Sequence, residues 1–111
     1  MDIKNILVVC VGNICRSPMA EYLLKQQNSN LSIESAGISG LIGHAADVKA
    51  QLCMQRLDID ISQHVARKLN VEQLKQADLV LVMSNNQLKH IEQTWPFVKG
   101  KVFRLGHWQN K

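Results

Sequence analysis

The run Ile6-Leu7-Val8-Val9 is apolar without interruption and rich in β-branched residues. An amphipathic strand would alternate, and a surface helix would repeat every three or four residues. An unbroken apolar run this short is the mark of a central parallel strand buried on both faces. A second such run, Leu79-Val80-Leu81-Val82-Met83, follows Ala77-Asp78. Parallel strands need helical crossovers, and the segments between supply them.

Ser17-Pro18 suits a helix start, with serine as N-cap, and Met19, Ala20, Leu23 and Leu24 give it an apolar stripe that stops at Asn28-Ser29-Asn30. Residues 31–36 read as a second strand. A helix is expected over Ala45 to Leu57, with Val48, Leu52 and Leu57 turned inward. Residues 58–70 read as irregular, and Val71 to Gln76 as a short helix. A helix capped by Ser84 or Asn85 runs to about Gln93, Trp95-Pro96 stops it, and Lys101 to Leu105 makes a last strand. The order predicts an α/β fold: a doubly wound, open, four-stranded parallel sheet flanked by helices. The 111 residues suffice for one small domain, 1–111. In such sheets ligands bind beyond the carboxyl ends of the strands, which directs attention to the loop after the first one.

That loop reads Cys10-Val11-Gly12-Asn13-Ile14-Cys15-Arg16-Ser17. A loop between strand and helix can wrap backbone N–H groups around a small anion, and the helix dipole adds to the attraction. Gly12 and Asn13 tolerate the left-handed backbone that such a cradle uses. Arg16 offers a planar fork for two oxygens of a phosphoryl group. Ser17 can cap the helix and donate to a thiolate. Each of these favours negative charge at the centre, so Cys10 is the candidate nucleophile. The candidate phosphate-binding residues are Val11, Gly12, Asn13, Ile14, Cys15, Arg16 and Ser17.

The segment from Val9 to Glu21 resembles the signature of low-molecular-weight protein tyrosine phosphatases of bacterial type. Ser35-Ala36-Gly37, His64-Val65-Ala66-Arg67 and Asp78–Met83 extend the similarity, which covers the chain up to Trp108. The resemblance implies the phosphotyrosine phosphatase I type of Rossmann-like fold. It also implies hydrolysis of phosphotyrosine and aryl phosphates through a phosphocysteine, with no metal and no cofactor. It puts the nucleophile on Cys10, the phosphate-binding arginine on Arg16, the loop-organising asparagine on Asn13 and the thiolate-stabilising serine on Ser17. Cys15 matches a cysteine that forms a reversible disulfide with the nucleophile. The pocket wall falls on residues 38–44, where Leu41 and His44 replace the aromatic residue of many members. This aliphatic loop resembles that of members paired with bacterial tyrosine kinases of polysaccharide export.

The family's general acid lies in an Asp-Pro-Tyr segment, followed by a last helix. The sequence contains no Asp-Pro pair and ends at Gly106-His107-Trp108-Gln109-Asn110-Lys111. The expectation is therefore a C-terminally short form whose turnover is impaired. An uncovered sheet face would then offer a route to a homo-oligomer. Of the groups able to replace the acid, His107 is nearest in sequence; Asp47 reads as a helix-start charge.

Other function classes fare worse. A thiol-dependent arsenate reductase needs further cysteines near the third strand, and residues 77–111 contain none. A non-catalytic phosphotyrosine-binding module is the alternative, since the cradle is complete while the acid is missing. The net charge is +4, but apart from the one-sided end (Lys99, Lys101, Arg104, Lys111) the charges are mixed, and no aromatic–basic interleaving suggests nucleic acid. The chain is 46% hydrophobic with no apolar run near the roughly 20 residues of a membrane span, so no membrane insertion is expected. Three cysteines without a secretory signal point to a reducing cytoplasm, and Cys53, in a helical apolar pattern, is expected in the core. His44, His64 and His90 are too dispersed for a metal site.

Overall fold

Five of the six residues of β1 (Asn5–Cys10) are buried, as two-sided packing requires. The computed structural model describes residues 3–39 and 41–105. After β1 come α1 (Arg16–Gln27), β2 (Ser32–Gly37), α2 (Val48–Gln55), α3 (Val71–Gln76), β3 (Leu79–Val82), α4 (Asn85–Thr94), a 3-10 turn (Pro96–Val98) and β4 (Val102–Arg104). The sheet order is β2-β1-β3-β4, with every pairing parallel. The expected doubly wound α/β architecture is what forms.

Two faces of the sheet hold separate cores. Leu7, Val9, Val80 and Val82 meet Leu74, Ile91 and Val98 on the α3–α4 side. Ile6, Val8 and Ile33 meet Ala20 and Leu24 of α1 on the other. Burying a side chain of this size contributes about 1.5–3 kcal/mol, so these aliphatics dominate the stability. The α1 face covers β1 and β2 but leaves Leu79 and Leu81 half-buried, with Phe103 and Leu105 exposed. Among the described residues no helix is long and apolar enough to cross a membrane.

Two sequence expectations about helices are corrected. Helix α1 begins at Arg16, with Cys15 in the N-cap position and no side-chain cap, so Ser17 does not cap it. The inward face here is Ala46, just ahead of α2, with Ala50 and Met54 within it, packed on Met19, Tyr22 and Leu23 of α1. Val48, Leu52 and Leu57 face solvent instead. Two alanines let α2 lie close to α1, whereas Val48 and Leu52, each two positions from Ala50, fall on the solvent side of the helix. Cys53 is likewise exposed rather than in the core.

Candidate active site

Cys10 is the last residue of β1 and is buried. The chain then curls from Val11 to Cys15 and enters α1. The turn needs one left-handed residue, and it is Asn13, at φ 60°. Gly12 is not left-handed, which corrects the expectation for that position. The glycine that the loop does need is Gly37, at the end of β2. A Cβ there would lie 2.7 Å from the Val11 carbonyl oxygen and 2.9 Å from the Gly12 carbonyl carbon. The loop lies directly on the backbone of Gly37.

The loop's carbonyls are tied outward. Those of Cys10, Val11, Gly12 and Ile14 accept from the N–H groups of Ile38, Ser39, Leu41 and Asp47, at 2.9, 3.0, 3.2 and 2.6 Å. The Asn13 carbonyl contacts His64 Nε2 at 2.6 Å; a carbonyl only accepts, so that nitrogen carries the hydrogen. With these carbonyls bonded to groups outside the loop, the Asn13 N–H turns inward and reaches Cys10 Sγ at 3.2 Å.

Hydrogen bonding also fixes the polarity of the side chains beneath. Asn13 Oδ1 accepts from the Arg67 N–H at 2.9 Å, which settles how its amide is turned. Its Nδ2 therefore donates to Ser17 Oγ at 2.8 Å and to Ser35 Oγ at 2.9 Å. Ser17 Oγ lies 2.9 Å from Cys10 Sγ; a thiolate there only accepts, so against a thiolate the hydroxyl is the donor. Ser35 Oγ donates to Glu21 Oε1. Asn13, Ser17, Ser35, Glu21 and His64 are all buried. The sulfur thus faces two donors, an arrangement suited to a thiolate.

Arg16 is exposed at the first turn of α1, and Val11 is exposed on the loop. Cys15 is an exposed free thiol; burial of the sulfur and then the Asp47 carboxylate push it above its ordinary value. Leu41 packs beside Gly12, its Cδ1 3.4 Å from where a Cβ on that glycine would stand. His44 is held through its backbone, its N–H bonded to the Leu41 carbonyl and its carbonyl to the Ala66 N–H. Its ring is exposed. Asp47 accepts from the Lys49 N–H and caps α2, as a helix-start charge should. His107 lies outside the described residues. No group of three His, Cys, Asp or Glu side chains that could hold a metal ion occurs among the described residues.

Glu21, Ser35 and Gly37 were not legible as site residues from their chemistry. A glutamate four residues before Lys25 reads as a solvated helix pair, and only the resemblance singled out Ser35-Ala36-Gly37.

Comparison with known proteins agrees with this geometry. The family model described as low molecular weight phosphotyrosine protein phosphatase matches residues 5–111. The low molecular weight protein-tyrosine-phosphatase Ptp of Acinetobacter johnsonii is 75% identical over 111 residues, spanning 100% of this chain and 78% of that protein. The crystal structure of the Erwinia amylovora tyrosine phosphatase AmsI superposes with a TM-score of 0.94 at 38% identity, covering 98% of this chain and 72% of that one. The tyrosine phosphatase Wzb of Escherichia coli K30 in complex with sulphate gives 0.94 at 35% identity, covering 99% and 77%. The chain belongs to the low molecular weight phosphotyrosine protein phosphatase family.

Proposed function

We propose that this chain hydrolyses phosphotyrosine and aryl phosphates through a phosphocysteine on Cys10. The observation that carries the reading is the pair of donors on Cys10 Sγ, from Ser17 Oγ and the Asn13 N–H, at the floor of a loop whose carbonyls are turned away. The thiolate attacks phosphorus in line. The S–P bond forms, the P–O bond to the aryl group breaks, and the aryl oxide leaves with the electron pair. Water then attacks the phosphocysteine, giving phosphate and the thiolate again. The N–H groups from Gly12 to Ser17 and the Arg16 fork hold the equatorial oxygens as charge spreads over them. Val11, Ile14 and Cys15 complete the curl of the cradle.

The apolar rim sets the substrate class. Leu41 stands beside Gly12, and Val11 is exposed next to it. An aryl ring can lie against these side chains while the phosphoryl group reaches the floor; a phosphoserine is too short to do both. His44 borders the same loop. Protein substrates on this reading include a bacterial tyrosine kinase of polysaccharide export, in keeping with the aliphatic loop. The three free cysteines support a reducing, cytoplasmic setting. The apolar stretch of Phe103 and Leu105 is a surface for self-association. Cys15, exposed and five residues beyond Cys10, is the candidate redox partner.

The test is hydrolysis of p-nitrophenyl phosphate by the 111-residue chain beside its Cys10→Ser variant. The expected result is turnover that Cys10→Ser abolishes. Phosphopeptide binding by a folded chain without any Cys10-dependent turnover would point instead to a binding module.

A further inference from the structure

The side chains beneath the loop end at a charge pair. Glu21 is buried on the inner face of α1, and its Oε1 accepts from Ser35 Oγ. Its Oε2 accepts from Lys25 Nζ at 2.6 Å, one turn along the same helix. The glutamate side chain is 4% exposed and that of Lys25 44%. The ammonium also stands 5.0 Å from the centre of the Tyr22 ring. The other charged or titratable groups around Glu21 are His64, Arg67 and Glu34. Of these, His64 is committed to the Asn13 carbonyl and Arg67 approaches Glu34 at 4.0 Å. Lys25 is therefore the cation hydrogen-bonded to the buried carboxylate.

We propose that Lys25 is a positioning residue for Cys10, acting through Glu21, Ser35, Asn13 and Ser17. The inference rests on the phosphocysteine reading above. An ionised carboxylate only accepts hydrogen bonds. While Glu21 is ionised, the Ser35 hydroxyl must donate to it and is free to accept from Asn13. The Arg67 N–H turns the Asn13 amide so that its Nδ2 also reaches Ser17, and a thiolate at Cys10, which only accepts, takes the Ser17 hydrogen. Lys25 holds the outer end of this series by fixing the Glu21 carboxylate in place.

Removing the ammonium leaves the buried carboxylate held by Ser35 alone, so Glu21 is free to turn in its site. Ser35 then lacks a fixed acceptor, the hold on Asn13 slackens, and Ser17 no longer presents its hydrogen to Cys10 in a single orientation. Lys25 itself touches neither the sulfur nor the substrate.

The experiment follows the ultraviolet absorbance of the Cys10 thiolate against pH, taken as the difference from Cys10→Ser, in wild type, Lys25→Met and Lys25→Arg. Lys25→Met is expected to move the midpoint to higher pH by about one unit, equivalent to a tenfold loss of thiolate on the acid side. The value of kcat/KM for p-nitrophenyl phosphate should fall by the same factor there. Lys25→Arg should restore both. Lys25 is half-exposed, so its variants keep the fold, and a melting curve checks this. Adding Lys25→Met to Glu21→Gln should produce no further shift, because the route through the carboxylate is already cut. An unmoved midpoint in Lys25→Met with Cys10-dependent hydrolysis intact overturns the inference, as does a loss of activity that Lys25→Arg fails to restore. A wild-type chain without Cys10-dependent hydrolysis or thiolate would overturn the phosphocysteine reading itself.

Discussion

A methyl group on Gly37 would stand 2.7 Å from the carbonyl oxygen of Val11. That is well inside van der Waals contact, and the obstacle is backbone on both sides. Gly37→Ala must therefore push the loop off the end of β2. The expected cost is roughly 1–3 kcal/mol of stability, of the order found for overpacking. The displaced loop should lower kcat/KM by about 100-fold. Gly12→Ala is the comparison, because its added methyl meets only side-chain atoms, Leu41 at 3.4 Å and Ile14 at 3.8 Å. Thermal melts and aryl phosphate kinetics on the pair check this; equal effects at both positions would refute it.

Arg16→Lys keeps the charge at the first turn of α1 but loses the two-pronged fork. Losing a transition-state donor of this kind typically costs roughly 10²–10³ in kcat. The loss is expected in kcat more than in KM, measured with p-nitrophenyl phosphate. An unchanged kcat would remove Arg16 from the cradle.

Cys15 bears on oxidation. Burial and the Asp47 carboxylate hold its thiol above the ordinary value, so closure of a bridge to an oxidised Cys10 should accelerate as pH rises. Peroxide should inactivate the wild-type chain in a form that added thiol restores. In Cys15→Ser the same treatment should become irreversible, as Cys10 proceeds up the oxidation ladder. Full recovery of Cys15→Ser under thiol would count against the pairing.

Asp78 gives a pH dependence of stability. Its Oδ2 accepts from the N–H groups of Lys4 and Asn5, both at 2.9 Å, and these bonds hold its carboxyl below the ordinary aspartate value. The unfolded chain then binds the proton more readily, so this contribution is present above the unfolded value and is lost as pH falls through the folded one. Asp78→Asn should melt earlier than wild type at neutral pH, and the two curves should converge in acid. A gap that persists at low pH would rule the carboxylate out as its source.

The parts legible in the sequence were those where residue type carries the physics. β1 was readable because two-sided burial demands an unbroken apolar run, and Ile6 to Val9 supplies it. The cradle was readable because a thiol, an arginine and a serine at one strand-to-helix turn have few structural reasons to coincide. The face of α2 was misjudged because its seam is built from Ala46 and Ala50, which carry little hydrophobic signal, while Val48 and Leu52 next to them carry much and face water. Ser17 was taken for a cap because Ser-Pro ordinarily starts a helix; here the hydroxyl is engaged by Cys10 and Asn13. Glu21 entered only as the last residue of the resembling segment, with no role, because that role depends on Ser35, fourteen residues away in the chain.

The outward ties of the loop come from far along the chain: Ile38, Leu41, Asp47, His64 and Arg67 all hold it. None of these contacts exists in a local fragment. Residues 10–17 cut free would be a floppy peptide with an unremarkable thiol. Only the assembled domain turns the carbonyls away and brings two hydrogens to the sulfur. Reactivity in this chain is thus a property of completed folding. A molecule partly unfolded around residues 37–47 would lose its chemistry before it lost its sheet.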